Sequence, residues 1–133
     1  MTRYVIDASV AVEYLLKTPL GLALAELVER ASLIAPELLD AEVLSVLRRA
    51  ALGGRLEEGR ALAALDDLAV WPVDRLPNRT LARLAWRHLH NVSAYDALYV
   101  AAARAHDATL LTADGRLSRA PGLGIVVQHV RMG

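Results

Sequence analysis

Tyr4-Val5-Ile6-Asp7-Ala8-Ser9 passes from a β-branched run to a single acid and then to the start of an apolar helix. A strand that ends on a carboxylate and feeds straight into a helix opens an alternating α/β chain. Residues 3–7 predict the strand, and the helix runs through about Leu16 with Ser9 as its N-cap. The alternation continues outward from there. A second helical pattern spans about Leu20 to Arg30, and Ser32-Leu33-Ile34-Ala35 gives a strand stopped by Pro36. Glu37 to Leu52 is helical and ends at Gly53-Gly54. Arg55 to Asp67 predicts another helix, followed by the strand Leu68–Val73, which Pro72 places near an edge. Asn78 or Thr80 caps a helix through about His90, and Ser93 caps the nearly all-apolar helix Ala94–His106. Strands at Ala108–Thr112 and Ile125–Val130 close the chain. Five short strands alternating with helices predict the α/β class, as a three-layer α/β/α sandwich around a short, mainly parallel five-stranded sheet.

With 133 residues, the chain predicts a single domain, 1–133, large enough to bury roughly 68% of its unfolded surface. Hydrophobic residues make up 55% and charged residues 23%, which excludes the disordered and fibrous classes. No apolar run reaches the ~18 residues of a membrane span, and the N-terminus lacks a signal pattern, so the expected location is cytoplasmic. The absence of cysteine removes disulfides, thiolate zinc sites and a cysteine nucleophile. Fifteen Lys plus Arg balance 15 Asp plus Glu, so no overall positive field advertises nucleic acid. Lys17 is the only lysine, and the remaining basic residues are arginines.

Four acids stand in apolar surroundings: Asp7, Glu42, Asp96 and Asp114. Desolvating an unpartnered carboxylate is costly, so such residues need a partner or a shared cation. Each also has an ordinary structural explanation. Asp7 could cap the first helix. Glu42 shares a helical face with Leu38, Leu39, Ser45 and Val46 and could pair with Arg49, whereas Asp40 lies about 160° away and reads as a solvated surface acid. Ser93-Ala94-Tyr95-Asp96 matches a capping box, and Asp114-Gly115 matches a turn. All four explanations must hold at once for the acids to be unrelated. Several carboxylates without a nearby thiol suit a hard dication such as Mg²⁺ or Mn²⁺. Both Asp7 and Asp114 follow strands, and Asp96 opens a helix, so they belong at the carboxyl edge of the sheet, where functional groups collect.

Other chemistry is poorly represented. His88, His90, His106 and His129 lack metal-ligand spacing and read as surface or packing residues. No phosphate-binding glycine loop or nucleophile elbow is present, and the aromatics are too sparse for a base-stacking platform.

Val5-Ile6-Asp7-Ala8-Ser9, Pro36 with Glu42-Val43-Leu44, Ser93-Ala94-Tyr95-Asp96-Ala97-Leu98-Tyr99 and Leu110-Leu111-Thr112-Ala113-Asp114, in this order and spacing, resemble a PIN domain. The resemblance is most specific to the VapC type of toxin from type II toxin–antitoxin systems and covers essentially the whole chain. It implies a three-layer α/β/α fold and a Mg²⁺- or Mn²⁺-dependent endoribonuclease acting as the toxin of a toxin–antitoxin pair. It also implies an RNA substrate, a cognate antitoxin and a homodimer. The family's acidic site falls on Asp7, Glu42, Asp96 and Asp114, as both catalytic and metal-binding residues, with Ser9 and Thr112 in supporting positions. Some relatives carry a further acid after the last Asp, where this chain has Arg116 and Ser118. Two other readings compete. One is a catalytically inactive domain that binds RNA or protein. The other is phosphotransfer on Asp7, for which the chain has Ser9 where a second Asp is needed and no obvious catalytic lysine.

Overall fold

The computed structural model describes residues 2–132. Its first strand, β1 (Arg3–Ile6), runs into helix α1 (Ala8–Leu15), and the cap is Asp7, not Ser9. Asp7 adopts extended backbone, and its Oδ1 accepts the Val10 amide at 3.1 Å, satisfying a free N–H of the first turn. Thr18 caps α2 (Pro19–Arg30), whose first residue is a proline. Helices α1 and α2 approach closely at Gly21, where a Cβ would collide with the backbone carbonyl of Glu13. Gly21→Ala should therefore destabilise the protein by about 2 kcal/mol, read by chemical denaturation, because the obstruction is main chain and cannot rotate away.

Strand β2 (Ser32–Pro36) is followed by α3 (Leu38–Leu52), which ends at Gly53-Gly54, where Gly54 has φ 72°. Next come α4 (Glu58–Val70) and β3 (Val73–Leu76). The strand expected at 68–73 is thus displaced. Leu68 continues the buried helical stripe of Ala61 and Ala64, so α4 persists to Val70, and the strand starts only after Pro72. Arg75 explains how this helix can end so abruptly. Its guanidinium donates to the carbonyls of Leu68 and Trp71, both at 2.8 Å, and Val73 at 3.1 Å, and pairs with Asp40 of α3 at 2.9 Å. Asp40 is consequently half-buried in an ion pair rather than a freely solvated acid.

Helix α5 (Asn78–Ala85) passes into a 3₁₀ turn at Trp86–His88 and is shorter than its pattern suggested. Neither Asn78 nor Thr80 caps it. Asn78 Oδ1 instead accepts the Leu38 amide at 3.2 Å, tying α5 to the start of α3. Helix α6 (Ala94–His106) is capped by Ser93, and β4 (Thr109–Thr112), α7 (Gly115–Ser118) and β5 (Val127–His129) complete the order. The short α7, capped by Asp114, occupies what read as a simple turn.

The sheet is five-stranded and parallel, in the order β3-β2-β1-β4-β5. Connections β1→β2→β3 step one way and β3→β4 returns, so right-handed crossovers put α1–α4 on one face and α5–α6 on the other. The strand order, not the strand direction, reverses between the parallel neighbours β1 and β4, where Ile6 is in register with Leu111. That reversal opens a crevice at the carboxyl edge. Val5, Ile6, Leu110 and Leu111 are fully buried beneath it, and so is the α6 face containing Tyr99, Val100 and Ala103.

Candidate active site

The floor of this crevice is Asp7, only 6% exposed. Ser9 Oγ donates to its Oδ1 at 2.5 Å, and Thr112 Oγ1 donates to its Oδ2 at 2.5 Å. Both hydroxyls accept as well: Ser9 Oγ takes the Ala113 amide and Thr112 Oγ1 the Asp114 amide, each at 2.9 Å. One carboxylate thus caps α1 and, through two hydroxyls, latches the end of β4 beside β1. Burial pushes the Asp7 carboxyl above its ordinary pKa; the three hydrogen bonds pull it back in part, and the charge of Asp96 adds to the rise.

Asp96 sits in the first turn of α6, with its backbone amide donating to Ser93 Oγ at 3.1 Å. Burial raises its pKa, the Asp114 carboxylate raises it further, and Ser93 and Arg116 partly offset the shift. The Asp114 side chain accepts the Arg116 amide at 2.9 Å, with the Arg116 guanidinium 3.7 Å away. Glu42 approaches from α3 and accepts the Tyr99 hydroxyl of α6 at 2.6 Å, and the alternative of an ion pair with Arg49 is not formed. Tyr99 is 1% exposed, and burial, then Glu42, Asp7 and Asp96, push its pKa far above the ordinary value. It stays a protonated donor.

The four acids therefore face one edge: the charge of Asp96 reaches Asp7, that of Asp114 reaches Asp96, and Glu42 joins them through its bond to Tyr99, which feels Glu42, Asp7 and Asp96. They do not form a closed nest. Among the described residues no three His, Asp or Glu side chains stand close enough to hold a cation as they are. In the same set, Asp7, Glu42 and Asp96 have no cationic side chain within ion-pair distance. An oxygen-only donor set that is partly desolvated and lacks a counter-charge fits a hard dication better than any other ion.

Tyr99 was the side chain hidden from pattern reading, because it sits in a helix that looks apolar on every side. Its signal was present: a tyrosine one helical turn after Asp96 in a deep helix needs a hydroxyl partner. His88 is a packing residue, one of the two roles expected of the histidines. It is 3% exposed, and neither ring nitrogen has a partner among the described residues. Burial, with Arg104 and Arg87, pushes its pKa below the ordinary 6.5. The folded protein then resists a proton that the unfolded chain accepts, so stability is full above about pH 6.5 and falls as the pH drops below it. His88→Leu should be neutral within about 1 kcal/mol at pH 7 and flatten the loss of melting temperature between pH 7 and 5.

The sequence matches the PIN domain family over residues 4–123, and the chain belongs to that family. Its relatives are VapC ribonucleases: it is 44% identical to Ribonuclease VapC1 of Mycobacterium tuberculosis over 98% of this chain and 100% of that one. Solved structures share the fold. Mycobacterium tuberculosis VapC20, described as a sarcin-ricin loop cleaving toxin, has a TM-score of 0.67 at 20% identity, covering 92% of this chain and 96% of that chain. VapBC2 from Rickettsia felis, bound to a DNA fragment from its promoter, gives 0.65 at 15% identity, covering 98% and 100%.

Proposed function

We propose that this protein is a VapC-type toxin that hydrolyses RNA phosphodiester bonds at the Asp7 edge with Mg²⁺ or Mn²⁺ bound. The observation that carries the reading is the gathering of carboxylates where the strand order reverses, with Asp7, Glu42 and Asp96 lacking a cationic side chain within ion-pair distance among the described residues and Asp7 and Asp96 each raised by a neighbouring acid. Asp7 and Asp96 would be the principal cation ligands, with Glu42 and Asp114 completing the set. A bound dication would offset phosphate charge and acidify a coordinated water. The protein's own groups do the rest. Ser9, Thr112 and the Val10 amide hold the Asp7 carboxylate at a set angle. Tyr99 occupies one oxygen of Glu42 and leaves the other to accept the proton of the attacking water. Arginines supply phosphate contacts that the zero net charge does not.

A cognate antitoxin and a second copy of the chain are the protein partners this reading brings, in the cytoplasm. Leu44 on α3, 53% exposed, offers an apolar contact for either. Among the described residues no single helix is long and apolar enough to cross a membrane. The test is incubation of antitoxin-free protein with structured and unstructured RNAs, with Mg²⁺ or with chelator. Cleavage confined to the Mg²⁺ arm is the expected result. The spacing of the acids favours one second reading, an RNA-binding domain without catalysis, which predicts RNA binding in both arms and cutting in neither.

A further inference from the structure

Beside the acids, a cleft of about 310 Å³ is lined by Ala8, Leu38, Ala41, Glu42, Ser45, Val46, Arg49 and Tyr95. It is continuous with the proposed site, since Glu42 belongs to both, Ala8 follows Asp7, and Tyr95 precedes Asp96. Three features make it unlike a solvated helix junction. Tyr95 is 60% exposed, presenting an aromatic face at the cleft rim. The Arg49 guanidinium has no hydrogen bond or ion pair among the described residues, although Glu42 lines the same cleft. The alanines keep the wall low, and Leu38 and Val46 supply apolar surface. An aromatic face, a free guanidinium and an apolar wall match the base and phosphate of one nucleotide.

Resting on the nuclease reading, we infer that this cleft seats an unpaired nucleotide of the RNA next to the scissile phosphate. Tyr95 stacks on its base and Arg49 contacts its phosphate. A paired base has both faces covered by its neighbours, so stacking on Tyr95 requires an unstacked nucleotide, and the protein discriminates for single-stranded segments or loops. Neither residue touches the reacting atoms in this scheme; both position the strand. The arginines Arg48, Arg49, Arg55, Arg79, Arg83, Arg87, Arg116 and Arg119 are indistinguishable by sequence, and the cleft selects Arg49 from among them.

The experiment uses the full chain carrying Asp7→Asn, with a fluorescein-labelled 12-nucleotide single-stranded RNA and the same strand in duplex, read by anisotropy across a salt series. Added Tyr95→Ala should weaken single-strand binding about tenfold and Tyr95→Trp should restore it, while Tyr95→Leu should not. Arg49→Ala should weaken binding and lower the salt slope by about 0.7. Duplex binding should be weaker in the parent and unmoved by Tyr95→Ala. Both residues are exposed, so the variants should melt like the parent. Unchanged affinity and slope in Tyr95→Ala and Arg49→Ala would overturn the inference, as would a parent that binds no RNA. A shift in sedimenting mass with unchanged RNA binding would overturn it too, because Tyr95 would then belong to a protein seam. Wild-type cleavage separates the two readings. Cutting with indifferent cleft variants removes only the cleft, and a working cleft without cutting removes only the nuclease.

Discussion

Asp7→Asn is expected to lower Mg²⁺-dependent RNA cleavage by roughly 10³-fold per folded molecule, the scale of losing a charged group that organises a transition state. It should leave the melting temperature of the chelated protein unchanged or slightly raised. The two effects separate because Asp7 has two jobs. As an acceptor it takes the Ser9 hydroxyl and the Val10 amide on one oxygen, and an asparagine carbonyl does the same. On the other side the asparagine amide must donate to Thr112 Oγ1, whose proton then turns toward Ser9 Oγ, 3.5 Å away. That rearrangement costs little more than one hydrogen bond, about 1 kcal/mol. In return the fold loses a charge that burial disfavours. Asp7→Ala is the contrast: it removes the acceptor from three donors and should cost about 2–3 kcal/mol as well as activity. If Asp7→Asn melts more than about 10 °C below wild type, Asp7 is chiefly a latch and the lost cleavage reports unfolding.

The second large effect is stabilisation by the dication itself. At a hundredfold excess over its dissociation constant, Mg²⁺ or Mn²⁺ should add about 2.7 kcal/mol. For a chain of this length that is a rise of roughly 10 °C. The physical source is relief of repulsion among Asp7, Asp96 and Asp114, which the cation-free fold must otherwise tolerate. The increment should vanish in Asp7→Asn and Asp96→Asn, and K⁺ at matched ionic strength should not reproduce it. A wild-type melting temperature indifferent to millimolar Mg²⁺ and Mn²⁺ would remove the cation from the mechanism.

The alternation of strand and helix was legible because buried parallel strands leave short aliphatic runs, and Val5-Ile6 and Leu110-Leu111 are such runs. The Ser93 cap was equally plain, since its hydroxyl acts within its own turn. The misread stretch, 68–73, failed because Leu68-Ala69-Val70 suits either structure. Arg75 resolves it by gathering the helix's last carbonyls, a tertiary act with no local signature. At the edge of the sheet, the placement of the acids after strands could be inferred from topology. Their connections could not: Thr112 reaching Asp7 across 105 positions and Tyr99 reaching Glu42 across 57 are set only when α6 and β4 dock.

Arg75 joins the exit of α4, the edge strand β3 and Asp40 of α3, and Asp40 lies half a helical turn before Glu42. The helix that carries Glu42 is therefore moored to the exit of α4 and to β3 by one guanidinium. A lesion at position 75 is expected to loosen that mooring and lower the melting temperature while every carboxylate remains in the sequence. Searches for inactivating changes confined to the crevice would overlook the support beneath it.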